Sequence, residues 1–283
     1  MDIKMLGFDM DGTLLDSHSE FPERNCRALR ECERRGIRLV FCSGRNFETL
    51  RAFARRVGVN PILAAANGAR IDASIDGPTL LERAYDDAHS EAVYRAMLAA
   101  KIYFIAFTRG HSYMTHAEYR VGRHCRHVKA TTDEPIDGLP YEQVVDDERA
   151  RLEGTVHPYK YVACGVMNDP RFEIIDERIR HLGMSVSSSA GDNMEVMMPG
   201  VDKGSAMRWI AEREGIPASQ VMVFGDHTND APMLRYAGWP VVMANGADEV
   251  KPLARIIAPG NDEAGVAQVI ERYVLGENTE RTR

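Results

Sequence analysis

Residues Phe8-Asp9-Met10-Asp11-Gly12-Thr13-Leu14 follow a short apolar run, Ile3, Met5 and Leu6, and set two carboxylates two positions apart where a strand should end. Side chains alternate along a strand, so Asp9 and Asp11 can be directed toward one spot if the extended geometry persists to the turn. Gly12 lets the chain turn sharply. In open α/β sheets the carboxyl ends of the strands are where ligands bind. A solvated acidic turn after an edge strand is the bland alternative. A calcium loop is another, and it fails: counted from Asp9, Glu20 fits the last position but Leu14 stands where the tight bend needs glycine.

Around this motif, strand and helix patterns alternate. Residues 22–35 open with Pro22, carry Cys26, Leu29 and Cys32 at helical spacing and stop at Gly36. Arg38 to Cys42 reads as a buried strand, and Phe47, Leu50, Phe53, Ala54 and Val57 share one helix face. Ile62 to Ala66 is a third strand, closed by Asn67-Gly68, and Asp76-Gly77 marks a hairpin between Arg70 to Ile75 and Thr79 to Leu81. The middle then changes character: a helix (Ala88 to Ala100), strands at Tyr103 to Thr108, Tyr113 to Thr115 and Tyr159 to Val166, a helix carrying Phe172, Ile175, Ile179 and Leu182, and another strand. An acidic stretch, Thr131 to Gly154, reads as a loop. From about Met197 the alternation returns, with a helix from Lys203 to Glu214, strands Val221 to Phe224 and Val241 to Ala244, and a final helix striped by Val266, Val269, Ile270, Tyr273 and Val274. The simplest topology is an α/β fold: a Rossmann-like parallel-sheet core from residues 1–83 and 189–283, interrupted by an inserted α+β unit over residues 84–188.

The chain has 283 residues, 44% hydrophobic and 27% charged, with a formal net charge of −7. That balance argues against a general nucleic-acid binder, and no run approaches the roughly 20 apolar residues of a membrane span. Met1-Asp2-Ile3-Lys4 lacks the long apolar stretch of a secretion signal, so a cytoplasmic protein is expected. The five cysteines (Cys26, Cys32, Cys42, Cys125 and Cys164) include no CxxC pair, which supports neither a disulfide framework nor a zinc site. His124-Cys125-Arg126-His127 has the residue types of a metal site but no second ligand pair at usable spacing.

Three further features stand at predicted strand ends or helix starts: Ser43-Gly44-Arg45, Asp202-Lys203-Gly204, and Gly225-Asp226-His227-Thr228-Asn229-Asp230. Each alone reads as a turn, a solvated lysine or a cap. Together with Asp9 and Asp11 they bring carboxylates, a hydroxyl and one cation to one edge of one sheet. Asp9, Asp11, Asp226 and Asp230 converging within about 5 Å would repel by roughly 3 kcal/mol per pair at an effective dielectric near 20. Such a cluster needs cations, and oxygen-only ligands with positions open for water and phosphate suit Mg²⁺ better than Ca²⁺. Lys203 supplies a point charge for phosphate, and Ser43 with nearby N–H groups can hydrogen-bond its oxygens.

With these residues in place, the chain resembles the haloacid dehalogenase superfamily of phosphotransferases, and most closely its Cof-type branch, whose cap domain is inserted between the second and third motifs. The resemblance runs nearly the whole length: DMDGT, Ser43-Gly44-Arg45, Asn67-Gly68-Ala69, the inserted segment, Asp202-Lys203-Gly204 and GDHTND. It implies that Asp9 is a nucleophile phosphorylated as an aspartyl phosphate, and that Asp11 protonates the leaving alcohol and then activates water, its backbone carbonyl on Mg²⁺. It further implies Asp226 as a metal ligand beside Asp9, and Asp230 as a ligand or a partner to one. Ser43, Gly44 and Lys203 would hold the transferring group, and Asn229 would orient this end of the site. Arg45 and Asn67 would lie near substrate or serve as structural hydrogen-bonding groups. His227 departs from the small residue many relatives carry there.

The expected activity is therefore Mg²⁺-dependent hydrolysis of a small phosphorylated metabolite, sugar phosphates leading and pyridoxal or flavin phosphates following, by a monomer or homodimer with no nucleic-acid or membrane partner. Arg109, His111, Arg120, Arg123, His124, Arg126, His127 and Lys160 of the inserted unit could meet an anionic or polyhydroxyl substrate, or form a solvated face. A phosphomutase of the same superfamily would use the same residues. A signalling receiver domain would place its accepting aspartate on a different strand from the acidic pair, and a sugar-phosphate sensor would have little reason to keep every catalytic residue.

Overall fold

The computed structural model describes residues 1–108, 112–115, 157–189 and 191–276. Thus Arg109, His111, Arg120, Arg123, the His124–His127 cluster and the acidic loop at 131–154 lie outside the described residues.

Strand β1 (Met5–Phe8) lies at the centre of an eight-stranded sheet. It pairs in parallel with β2 (Arg38–Cys42) on one side and β11 (Val221–Gly225) on the other, Phe8 meeting Phe41 and Phe224 in register. Beyond β2 come β3 (Ile62–Ala65), parallel, and the antiparallel β4 (Arg70–Asp72) and β5 (Thr79–Glu82); beyond β11 come the parallel β12 (Trp239–Met243) and β13 (Ile256–Ala258).

The period-2 alternation of the strands divides the core into two layers. Leu6, Phe8, Phe41, Leu63, Met222 and Phe224 pack with helices α1 (Glu23–Arg34), α2 (Phe47–Val57) and α7 (Gly265–Ile270). Met5, Val40, Cys42, Ile62, Val221 and Val223 pack with α5 (Lys203–Arg213) and α6 (Ala231–Tyr236) on the other face. Asn46 caps α2 by accepting from the Thr49 N–H, and Gly58 closes it in the left-handed region at φ 78°. The Rossmann-like α/β core is as expected. Within this larger sheet and its helices, α6 and β13 escaped the sequence reading. Both are too short to display a period.

The second unit is a five-stranded antiparallel sheet ordered β7 (Ser112–Thr115), β6 (Tyr103–Phe107), β8 (Lys160–Cys164), β10 (Asn193–Met197) and β9 (Ser185–Ser187). Helices α3 (Asp87–Ala99) and α4 (Arg171–Ile179) cover one face, against Phe104, Tyr161, Ala163, Met194 and Val196. Because β10 runs to Met197 and pairs with β8 throughout, this sheet takes residues beyond 189, where the sequence reading set the return to the first unit. Asn193-Met194-Glu195-Val196 alternates polar and apolar residues over a span short enough to serve either sheet.

The ring of Phe8 stacks on Phe224 with centroids 5.2 Å apart and meets Phe41 edge-on at 6.4 Å, all three fully buried. Phe8→Ala should therefore lower unfolding stability by about 3–5 kcal/mol, the range for truncating a packed aromatic; urea unfolding checks this, and a loss under about 1 kcal/mol would contradict a central, close-packed β1.

Candidate active site

The chain leaves four neighbouring strands, β11, β1, β2 and β3, at one edge of the larger sheet, and each exit carries polar residues. Asp9 follows β1, its N–H bonded to the Phe224 carbonyl of β11 at 3.0 Å. Gly12, at φ 75°, bends the chain under Asp226, where a Cβ would collide with that carboxylate. The exits of β2 and β3 are laced together: Ala66 N–H donates to the Arg45 carbonyl at 2.8 Å and Asn67 N–H to the Ser43 carbonyl at 2.9 Å. Lys203 is the first residue of α5, whose start is fixed by Asp202: its carboxylate accepts from the Ser205 N–H at 2.7 Å, and its own N–H donates to Ser205 Oγ at 3.1 Å.

These turns bring Lys203 Nζ to 2.7 Å from Asp9 Oδ1 and 2.6 Å from Asp230 Oδ1, with all three side chains buried. Asp230 Oδ2 accepts the backbone N–H groups of Asp226 and His227 at 2.8 and 3.0 Å, so both oxygens of Asp230 are committed and the loop is held by them. Asp226 Oδ1 accepts from Thr13 Oγ1 at 2.7 Å. Carboxylate oxygens of Asp9, Asp226 and Asp230 all lie within 4.8 Å of one another.

One ammonium cannot neutralise three carboxylates. Burial works against the Lys203 cation, yet Asp230 and Asp9 outweigh it and hold its pKa well above the usual lysine range. Burial pushes Asp9 upward, with Asp230 and Asp226 adding to it and Lys203 opposing. Asp226, which lacks a direct bond to the ammonium, is pushed up to about 7 by burial first and Asp230 second. A site with negative charge in excess and only oxygen donors fits a hard divalent cation.

Asp11 takes a different partner. Its carboxylate, half exposed, is held by the Arg45 guanidinium at 2.8 and 2.6 Å. Strand β1 ends at Phe8, and Asp11 follows at φ −73°, ψ 125° just before the chain turns at Gly12. Ser43 is buried, its Oγ accepting from the Arg45 N–H at 3.2 Å. Asn229 is buried beside Lys203 in the lining of one cavity. While its N–H holds Asp230, the His227 imidazole reaches out of the core: Nδ1 lies 3.1 Å from the Ser188 carbonyl, just after β9.

The second sheet contributes Lys160, which the sequence offered only as a possible substrate contact, and Glu195, which it did not single out. Lys160, on β8, donates to the Gly44 carbonyl at 2.5 Å and to Glu195 Oε1 at 2.8 Å; Glu195, on β10, accepts from Asn67 Nδ2 at 2.6 Å. Alternation puts Lys160, Val162 and Cys164 on the face opposite α3 and α4, and Glu195 with them. The available signal was a lone carboxylate within the run Met194-Glu195-Val196-Met197-Met198.

A family model described as haloacid dehalogenase-like hydrolase matches residues 6–270, which include every site residue above. The chain belongs to the haloacid dehalogenase-like hydrolases. Among curated members of the family, it is 28% identical over 275 residues to the 5-amino-6-(5-phospho-D-ribitylamino)uracil phosphatase YcsE of Bacillus subtilis, covering 97% of each chain. It is 25% identical over 279 residues to YbjI of Escherichia coli, which carries the same phosphatase name, covering 98% of each. Among solved structures, a haloacid dehalogenase-like hydrolase from B. subtilis superposes with a TM-score of 0.83 at 24% identity, over 96% of this chain and all of that one (100%). Among the described residues, no helix is long and apolar enough to cross a membrane.

The raised carboxyls set a pH dependence. Between the ordinary carboxylate range and about 7, folded Asp226 holds a proton that the unfolded chain releases, so this group's contribution to stability falls as pH rises through that window. A divalent cation must displace that proton. Added Mg²⁺ should therefore raise the Tm more at about pH 8 than at about pH 5.5; thermal unfolding with and without Mg²⁺ checks this, and equal gains at both pH values would contradict it.

Proposed function

We propose that the protein is a Mg²⁺-dependent phosphatase of small phosphorylated metabolites, foremost sugar and sugar-alcohol phosphates, and that it works through an aspartyl phosphate on Asp9. The observation that carries this reading is the Asp9 carboxylate: Oδ1 is fixed on Lys203, Oδ2 has no donor among the described residues, and the oxygens of Asp226 and Asp230 lie within 4.8 Å. A carboxylate so placed is oriented by one oxygen and free to attack with the other.

Asp9 and Asp226 are the residues that would hold Mg²⁺, since both oxygens of Asp230 are already engaged. When bound, the cation neutralises charge on the transferring phosphoryl group. Lys203 and the Ser43 hydroxyl would hold the remaining phosphoryl oxygens, with Gly44 leaving the backbone open to them. Attack by Asp9 forms an O–P bond while the ester O–P bond breaks, and the leaving alkoxide takes a proton from Asp11. Water then attacks the aspartyl phosphate, giving its proton to Asp11 and releasing inorganic phosphate and free Asp9. Between these steps the Arg45 guanidinium would hold the Asp11 carboxylate, as it does in the structure. Two relatives are named for a phosphorylated ribityl compound, which supports a polyhydroxyl alcohol as leaving group.

The direct test is release of inorganic phosphate from a panel of phosphorylated metabolites with and without Mg²⁺; phosphate moved to another position of a sugar, without release, would point to a mutase instead. Asp9→Asn should cut turnover by on the order of 10⁴-fold or more while the circular dichroism spectrum and Tm report a folded protein. Substantial Mg²⁺-dependent hydrolysis in that variant would refute the nucleophile. Asp11→Asn should slow alkyl phosphates by about 10²–10⁴-fold and p-nitrophenyl phosphate much less, because a good leaving group needs no proton; equal losses on the two would refute the acid.

A further inference from the structure

A cavity of about 270 Å³ lies between β9 and the core loops, lined by Asn67, Ser187, Met197, Lys203 and Asn229 among others. It therefore reaches the residue that holds Asp9. Two of its lining residues, Asn67 and Asn229, each carry a buried carboxamide oxygen with no hydrogen-bond partner among the described residues. A buried acceptor left unpaired is destabilising, a penalty that folds keep where a ligand supplies the missing donor.

For Asn67 the sense of the amide is settled by its neighbours. Nδ2 donates to Glu195 Oε2 at 2.6 Å and approaches Met197 Sδ at 3.6 Å, so turning the amide over would set Oδ1 against a carboxylate. Glu195 cannot yield: its other oxygen is on Lys160 Nζ, and that ammonium is anchored on the Gly44 carbonyl. The Asn67 backbone is pinned as well, at φ 58°, by its N–H on Ser43. Asn67 therefore has an acceptor to offer and no donor. A phosphate dianion carries acceptors only, and so is the wrong partner for it.

Resting on the phosphatase reading above, we infer that Asn67, oriented by the Lys160–Glu195 pair, reads the alcohol part of the substrate, and that this cavity selects leaving groups that donate hydrogen bonds through hydroxyl or N–H groups. Glu195 and Lys160 are then positioning residues: they act through Asn67 and need not touch substrate. Ser187 Oγ, which donates to Glu195 Oε2 at 3.2 Å, closes the same network from β9.

The test compares kcat/KM for D-ribitol 5-phosphate and n-pentyl phosphate, two esters of similar length with and without hydroxyl donors. The wild-type protein should prefer the polyol phosphate by about tenfold or more. Asn67→Gly, which suits the left-handed backbone and removes the whole carboxamide side chain, should bring that ratio to within about threefold of unity, and Glu195→Gln, which frees the amide to turn, should lower it as well. A merely structural role would slow both substrates by a common factor and leave the ratio at its wild-type value, and that result would overturn the inference. Equal kcat/KM for the two substrates in the wild-type protein would also overturn it while leaving the phosphatase reading intact. Failure to release phosphate from either ester, or from p-nitrophenyl phosphate, would defeat the phosphatase reading itself.

Discussion

The ammonium of Lys203, 2.7 Å from Asp9 and 2.6 Å from Asp230, is the interaction on which the rest of the site depends. It joins the first strand exit of the chain to a loop more than two hundred residues later. All three groups are buried, so their mutual attraction must repay the loss of hydration for three charges, and it does so only because the geometry is close and Asp230 gains two backbone N–H donors. The arrangement still leaves negative charge in excess. Asp226 absorbs the imbalance by holding on to its proton up to about 7, which is the electrostatic signature of a place for a cation.

The sheet makes this convergence possible. With β1 between β2 and β11, three parallel strands release their chains at the same edge, and the aromatic stack of Phe8 on Phe224 locks their register beneath it. Glycine at 12 and at 225 then lets the loops close: a side chain at either position would collide with Asp226 or Asp230 respectively. The second sheet reaches the same edge with the face that α3 and α4 leave uncovered, and Lys160 and Glu195 are the charged residues it presents there. Their burial against Gly44 and Asn67 joins the two units through polar contacts, beside an apolar cluster in which Ala66 and Ala69 of the core meet Tyr159 and Met197 of the second unit.

Long, strongly periodic segments were readable in advance. The buried apolar run from Arg38 to Cys42 and the helical stripe from Phe47 to Val57 appear in the structure within a residue or two. The failures have physical causes. Helix α6 has six residues and β13 three, too few for a period to show. The assignment of β10 to the second sheet depends on pairing with β8, and no local property of Asn193 to Met197 names its neighbour. The same holds in the site: Asp9, Asp226, Asp230 and Lys203 are recognisable by residue type and position at strand and helix ends, but Thr13 on Asp226 and Glu195 on Asn67 are contacts across 213 and 128 residues.

The sequence by itself determined the alternation of strands and helices, the turns that end them, the excess of carboxylates over lysine at those turns, and so the α/β class and a site at the strand ends. These follow from local rules, period and propensity, which act over a few residues. Only the tertiary structure decided which charges meet. It gave Lys203 to Asp9 and Asp230, turned Asp11 to Arg45, and set the Lys160–Glu195 pair on Gly44 and Asn67. Coulomb and hydrogen-bond energies depend on distances of a few ångströms between groups far apart in the chain, and those distances exist only once the sheets have formed and packed.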